Sequence, residues 1–269
     1  MPFLQTLELK PEVKPRAAKV YPQSPEALTA MKKEFDKFRK YGFVIEGSST
    51  WSAPSFAIKK KNGEYGIVTN FLYLNSQLVP VMFPLPLISD LQVVVANKTI
   101  FSKFDVVKAF YSIGVREKDW HLLCIGTSFD SFLYTVVSMG LTTSPSVMTR
   151  CMNALFITHI RSFHHAYHKE HMPEGNYVFC FIDDIILAAE SEELHYTIIE
   201  VMFYISTQYG LTLKPGKCAT GYDCIEYLGN MVSGTATWPT PHGVEALVNM
   251  ALPTTVIELR SFLRAMGFV

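Results

Sequence analysis

Two adjacent carboxylates, Asp183 and Asp184, stand in the stretch YVFCFIDDIILAAE, residues 177–190, with five apolar residues on either side. An ionised carboxylate taken out of water without a partner costs several kcal/mol or takes up a proton, and a like charge beside it adds to that cost. Divalent cations offset both. Mg2+ is held by hard oxygen ligands, commonly one or two carboxylates with water and substrate phosphates. A pair of such ions about 4 Å apart clamps the attacking and leaving oxygens of a phosphoryl transfer. A third carboxylate, Asp105, lies near the end of the strand-like TIFSKFDVV. Together the three point to metal-assisted phosphoryl transfer. The bland alternative for an Asp-Asp pair alone is a turn in which each side chain bonds nearby backbone amides, the commoner use of that residue.

The elements around the carboxylates bear on that choice. Each apolar run is of strand length, so residues 177–190 read as two buried strands joined by a tight turn that carries both aspartates. Upstream, SPEALTAMKKEFDKFRKYG reads as a helix with Ser24 as cap, Pro25 at its first position, an apolar stripe of Leu28, Met31, Phe35 and Phe38, and Gly42 as the stop. APSFAIKKKNGEYGIVTNF reads as a β-hairpin with a basic tip around Asn62-Gly63. A helix is expected between Leu85 and Asn97, strands at HLLCI and FLYTVVSM, and helices over 144–160, 192–209 and the final TTVIELRSFLRAMGF. LTLKP and EYLGNMVS read as short strands. The proline-rich residues 1–25 read as an arm containing one extended stretch, LQTLELK. Strand, helix, hairpin, helix, strand is the order of a split β-α-β sheet, expected here to carry helices on one face. In such a sheet the end of the first strand lies beside the central hairpin, so Asp105 is expected to meet Asp183 and Asp184 at one sheet edge.

Composition sets the outer bounds. A chain of 269 residues, 49% apolar, buries a sizeable core. Its formal net charge of zero advertises neither nucleic acid nor membrane, so any such contact is a local patch. Five cysteines without paired spacing, no apolar run long enough to span a bilayer and no signal-like start lead to the expectation of an intracellular protein with reduced thiols. His159, His164, His165, His168 and His171 cluster between Phe156 and Tyr177. No Cys or carboxylate set completes a four-ligand zinc pattern there, and a polar surface insertion is expected.

Read in order, these segments resemble the reverse transcriptases of long-terminal-repeat retrotransposons, most closely the Ty3/Gypsy-like group. LELKPEVKP and YPQSPEALTAMKKEFDKFRKYGFVIEGSSTWSAPSFAIKKKNGEY are similar to that group's opening segment, helix and fingers hairpin, and FPLPLISDL to its Pro-Leu-Pro helix start. FSKFDVVKAFYSI is similar to the first catalytic motif, YTVVSMGLTTSPSVMTRCMNALF to the Gly-containing turn and palm helix, and FIDDIIL to the aromatic-X-Asp-Asp box. LTLKPGKC, EYLGNMVS and PTTVIELRSFLRAMGF follow in the family's order. The resemblance implies an α+β right-hand polymerase fold with fingers, a palm built on a split β-α-β, ferredoxin-like sheet, and the start of a thumb. It divides the chain into an arm (1–23), fingers (24–100 and 119–142), palm (101–118 and 143–232, with the His-rich insertion at about 157–176) and a thumb or connection that begins at 233 and is truncated at 269.

The activity implied is that of an RNA-directed DNA polymerase domain of a retrotransposon-derived polyprotein. Asp105, Asp183 and Asp184 would hold two Mg2+ ions, with Mn2+ able to substitute. Phe110 falls where the family has an aromatic gate that rejects a ribose 2′-hydroxyl; on spacing alone it is equally a core residue. Met139 and Gly140 match the turn against nucleotide and template, and Lys60 and Lys61 could steady triphosphate or template phosphates, the plain alternative for them being a solvated turn. Tyr227, Leu228 and Gly229 are similar to the hairpin before the primer-holding segment, with Trp238 as part of the grip. The implied partners are an RNA or DNA template with primer, deoxynucleoside triphosphates, and ribonuclease H and integrase modules of the same polyprotein, with no membrane. The implied location is the cytoplasm, in a virus-like particle, or the nucleus. Three positions depart from the pattern. Gly66 stands in place of a triphosphate-binding Arg, removing a bidentate contact, and Asn70 and Leu72 replace an acid and a base. These departures and the zero net charge support a second reading, a catalytically silent remnant that only binds nucleic acid or a partner. A third, an RNA-templated RNA polymerase, is disfavoured by a gate-like Phe110.

Overall fold

The computed structural model describes residues 3–60, 63–81, 83–84, 86–160 and 176–266. Lys61, His164, His165, His168 and His171 lie outside the described residues. The chain divides into two compact units, Met1–Pro84 with Val107–Cys151 and Gln208–Leu211, and Leu85–Val106 with Met152–Thr207 and Thr212–Val269. No helix among the described residues is long and apolar enough to cross a membrane.

In the first unit the expected helix forms as α1, Pro25–Lys40. Ser24 Oγ accepts the Ala27 N–H at 3.2 Å, Pro25 occupies the first turn where its missing donor does no harm, and Gly42 takes a left-handed φ of 71° just past the end. Its buried stripe is Ala27, Met31, Phe35 and Phe38, and Phe35 stacks on Phe132 of the adjoining sheet at 4.9 Å. That sheet runs in the order Val44–Glu46, Ser131–Tyr134, Cys124–Gly126, Ala53–Lys59, Tyr65–Thr69. The last two strands are the basic-tipped hairpin, with Lys59 opposite Tyr65 and Ser55 opposite Thr69.

The N-terminal segment is more than an arm. Leu4–Gln5 pairs in parallel with Gly114–Val115, and the Leu7 N–H donates to the buried Asp119 carboxylate at 3.1 Å. Gln5 and Leu7 are themselves buried. An extended segment beside a strand edge finds backbone partners for its own amides, and the alternating pattern of LQTLELK then turns one side inward.

The second unit holds a four-stranded antiparallel sheet of β1 (Ile100–Asp105), β2 (Val178–Phe181), β3 (Asp184–Ala189) and β4 (Ala219–Tyr222), in the order β4-β1-β3-β2. This is the expected split β-α-β arrangement. Both of its faces are covered, however, and not one alone. Phe101, Phe179, Ile186 and Ala188 pack with Leu91, Val94 and Val95 of α2 (Ile88–Val95) and with Ile225, Tyr227 and Val232. On the opposite face Ser102 Oγ shares a 2.7 Å hydrogen bond with His195 Nε2 of α3 (Glu192–Gln208), and Phe104 meets Phe203 edge to face at 6.0 Å. The reason is visible in β3, where Ile185 through Ala189 are all fully buried. A strand apolar on both sides needs cover on both, and each large side chain so buried contributes about 1.5–3 kcal/mol. The expected strand LTLKP reduces to one bridge, Leu213 with Val106, before Pro215 starts a 3-10 turn. Proline has no N–H to continue a ladder.

One glycine in this unit answers to a close approach. The Asn97 N–H donates to the Gly234 carbonyl at 2.9 Å, and a Cβ on residue 234 would fall 1.8 Å from the Lys98 carbonyl oxygen. Gly234→Ala is expected to destabilise the fold by about 3 kcal/mol through forced backbone displacement. Gly216→Ala, which meets nothing within 4 Å, should stay within about 0.5 kcal/mol. Urea denaturation of the two variants checks the contrast.

Candidate active site

Asp105 is the last residue of β1 and Asp184 the first of β3, and the register sets them directly opposite each other. Directly opposed residues of antiparallel strands point to the same face, with Cβ atoms about 4.5–5.5 Å apart, where like charges destabilise the pair. Asp183 precedes Asp184 in a two-residue turn, Ile182–Asp183, that closes the hairpin between Phe181 and Asp184. Ile182 has a φ of 58°. A β-branched residue in the left-handed region is a steric outlier, the kind of strain that persists where surrounding structure over-determines it.

All three carboxylates are half-buried. Burial, followed by the neighbouring Asp183 and Asp105 charges, pushes the Asp184 carboxyl above the usual range. Burial is also the main cause that raises Asp183, with the Asp105 charge adding to it. Asp105 has a cation of its own: Lys217 Nζ donates to Asp105 Oδ2 at 2.9 Å. That hydrogen bond, with the Asp105 charge behind it, raises the Lys217 ammonium. Lys217 ends the Pro215–Lys217 turn, which is tied to β1 by the Lys214 N–H donating to the Asp105 carbonyl at 2.9 Å. Among the described residues no three His, Cys, Asp or Glu side chains stand as a closed ligand cluster. Three gathered anions repel, and Asp105 answers to Lys217 instead of to its neighbours. A cavity of about 490 Å3 opens beside Asp105 and Asp184, lined also by Lys103, Lys217, Tyr227 and Leu228. Acceptor-only carboxylates sharing one face, with an ammonium already drawn to one of them, form a donor set that suits a hard divalent cation.

The other expected site residues divide between the units. In the second, Tyr227 is buried and its hydroxyl donates to the Asp184 backbone carbonyl at 3.0 Å, so its phenol braces the strand that bears the carboxylate. Leu228 and Gly229, with φ of 49° and 77°, form the turn between Tyr227 and Asn230. Trp238 is exposed opposite Met231. In the first unit, Phe110 sits half-buried on the 3-10 turn Ala109–Ser112. Met139 is exposed, and Gly140, at φ 93°, has its carbonyl held by Asn75 Nδ2 at 2.7 Å. Lys60 lies over Gly66: a Cβ on residue 66 would come 2.8 Å from Lys60 Cε and 3.8 Å from Nζ. The sequence does not mark Lys217, because its turn is brought to the end of β1 by long-range backbone contacts, the Leu213–Val106 bridge and the Lys214 N–H on the Asp105 carbonyl.

The upward shifts have a consequence for stability. A carboxyl raised in the folded state favours folding while protonated and loses that contribution as pH climbs through the raised value. Asp184→Asn should therefore raise the melting temperature in chelator at pH 7 by about 2–4 °C, corresponding to roughly 1 kcal/mol of relieved repulsion and burial. The gain should vanish near pH 3, which differential scanning calorimetry at both values checks.

Comparison with known proteins fits this geometry. Residues 58–232 match the profile of the reverse transcriptase (RNA-dependent DNA polymerase) family. The Tf2-3 transposon polyprotein of Schizosaccharomyces pombe is 26% identical over 249 residues, 93% of this chain and 18% of that protein, and the Tf2-7 polyprotein is 24% identical over the same lengths. The chain thus spans 18% of the length of these relatives. Foamy viral protease-reverse transcriptase bound to double-stranded DNA shares the fold at a TM-score of 0.81 and 19% identity, over 98% of this chain and 45% of that one. The same viral enzyme with an RNA/DNA hybrid gives a TM-score of 0.77 over 98% and 35%. Enzymes of this family generally use divalent metal ions. The right-hand polymerase fold and the kinship with long-terminal-repeat retrotransposons expected from the motifs are borne out, and the chain belongs to the reverse transcriptase (RNA-dependent DNA polymerase) family.

Proposed function

We propose that this chain is the RNA-directed DNA polymerase domain of a retrotransposon-derived polyprotein, taking a primed RNA or DNA template and deoxynucleoside triphosphates. The observation that carries the proposal is the pairing of Asp105 with Asp184 at one sheet end, with Asp183 in the adjoining turn. These three carboxylates would hold two Mg2+ ions, or Mn2+, which when bound activate the primer 3′-hydroxyl and neutralise the triphosphate as pyrophosphate leaves. The chain's own residues orient the rest. Tyr227 and the strained Ile182 turn hold the carboxylates in register. Phe110 rejects a ribose, Met139 and Gly140 flank the nascent pair, and the Leu228–Gly229 turn with Trp238 steadies the primer. Residues 24–100 and 119–142 then serve as fingers and 101–118 and 143–232 as palm, a division that does not coincide with the two compact units, since Val107–Cys151 falls with the hairpin's unit.

Gly66 need not abolish nucleotide binding. The Lys60 side chain occupies the space that a side chain at 66 would take, and its ammonium can supply the charge of the absent arginine, as a point charge in place of a bidentate fork. The silent-remnant reading keeps one observation in its favour: Asn70 bonds the Leu72 N–H and Leu72 is exposed, so these two positions form no acid–base pair.

Primer extension on an RNA template with Mg2+ or Mn2+ separates the two. Extension is expected from the wild-type chain and a loss of roughly 10³-fold or more in Asp183→Asn/Asp184→Asn. A folded, template-bound chain that extends nothing would overturn the polymerase reading. Lys60→Ala should raise the KM for nucleotide by about 10-fold with kcat little changed, a charged hydrogen bond being worth about 1.5–3 kcal/mol. Gly66→Arg added to Lys60→Ala should restore it.

A further inference from the structure

We propose that Lys108 and Glu34 are positioning residues for Phe110, a clamp that fixes the turn bearing the sugar gate and so sets how sharply the site rejects ribonucleotides. The proposal rests on the gate reading of Phe110 given above.

Lys108 has φ 49° and ψ 40°, left-handed backbone in a residue with a long side chain, at the head of the Ala109–Ser112 turn. Only glycine visits that region freely, so a lysine there must be held by something else. What holds it is on α1. Lys108 Nζ donates to Glu34 Oε1 at 3.0 Å and lies 5.0 Å above the Phe38 ring. Glu34 is steadied in turn by Lys37, 3.0 Å from its other oxygen. Burial pushes the Glu34 carboxyl up, yet the bonds from Lys108 and Lys37 outweigh it and keep the group below the usual range, so the pair is fully charged at neutral pH.

The far side of the turn is anchored separately. Tyr111 packs against Phe38 at 5.3 Å, Phe43 at 5.1 Å and Tyr134 at 6.3 Å. Within the turn the Tyr111 N–H donates to the Lys108 carbonyl at 2.9 Å and the Ile113 N–H to the Phe110 carbonyl at 3.2 Å. Phe110 therefore sits between two fixed points, an aromatic one after it and an ionic one before it. The aromatic anchor alone leaves Lys108, two residues before Phe110, free to relax to ordinary φ, which re-aims the ring. A misplacement of about 1 Å in a positioned group can change rates by up to 10²-fold.

The test compares deoxynucleotide with ribonucleotide incorporation, as the ratio of their kcat/KM values, in Glu34→Gln, Lys108→Met, Lys108→Arg and Phe110→Ala. Glu34→Gln and Lys108→Met should each lower the ratio by about 10-fold or more, Lys108→Arg should keep it, and Phe110→Ala should lower it furthest. Hydrogen exchange at the Tyr111 and Ile113 amides reads the same turn without turnover: protection should fall in Glu34→Gln and Lys108→Met while α1 amides stay protected. If Phe110→Ala relaxes selectivity but the clamp variants leave both the ratio and the two amides unchanged, the clamp is refuted and the gate stands. If Phe110→Ala leaves the ratio unchanged, the gate reading fails and the clamp's role in selectivity with it.

Discussion

The structure depends on one electrostatic constraint: a folded sheet must end with two carboxylates facing each other and a third beside them. Opposed like charges on antiparallel strands work against the pairing that brings them together, and here burial adds to the repulsion. The sheet tolerates this because the rest of it is heavily buried. β3 runs from Asp184 into five fully buried residues, and cover on both faces locks β1 and β3 in register. The apolar interior thus supplies the free energy that holds an unfavourable charge cluster in place.

The supports around the cluster act on backbone as much as on side chains. Tyr227 grips the carbonyl of Asp184 itself, and the Lys214 N–H does the same for Asp105. Ile182 takes a conformation unfavourable for its type so that Asp183 and Asp184 follow one another around the turn. Lys217 gives Asp105 a charge partner. In the first unit the same logic recurs at Lys108, where a strained backbone is held by an ion pair and an aromatic face. Asp183 in one unit and Phe110 in the other sit on short turns whose flanks are fastened to regular elements, which positions them more tightly than a free loop would.

Much of this was legible from the sequence because it rests on local pattern. Ser24, Pro25 and Gly42 bound α1 through capping chemistry, and two apolar runs of strand length imply a turn between them, expected to carry both aspartates; the turn is instead Ile182–Asp183, and Asp184 opens the strand. The meeting of Asp105 with Asp184 followed from element order. What stayed hidden depends on long-range placement. Nothing in LTLKPGKC marks Lys217 as the partner of Asp105, since contacts more than a hundred residues apart in sequence, at Leu213 and Lys214, carry it there. Nothing around Tyr227 in the sequence shows that its hydroxyl meets the Asp184 backbone carbonyl. The N-terminal segment passes for a loose arm because the edge it pairs with, Gly114–Val115, is more than a hundred residues away. The place of Lys60 over Gly66 could not be read from either residue alone.

The central claim is that Asp105, Asp183 and Asp184 form one divalent-cation site. Mn2+ binding followed by electron paramagnetic resonance, in the wild-type chain and in Asp105→Asn and Asp184→Asn, tests it most directly and needs no turnover. A shared site predicts saturable Mn2+ binding that weakens by about 10-fold or more in each variant, since each removes a charged ligand. Mn2+ bound equally well by all three proteins would contradict it.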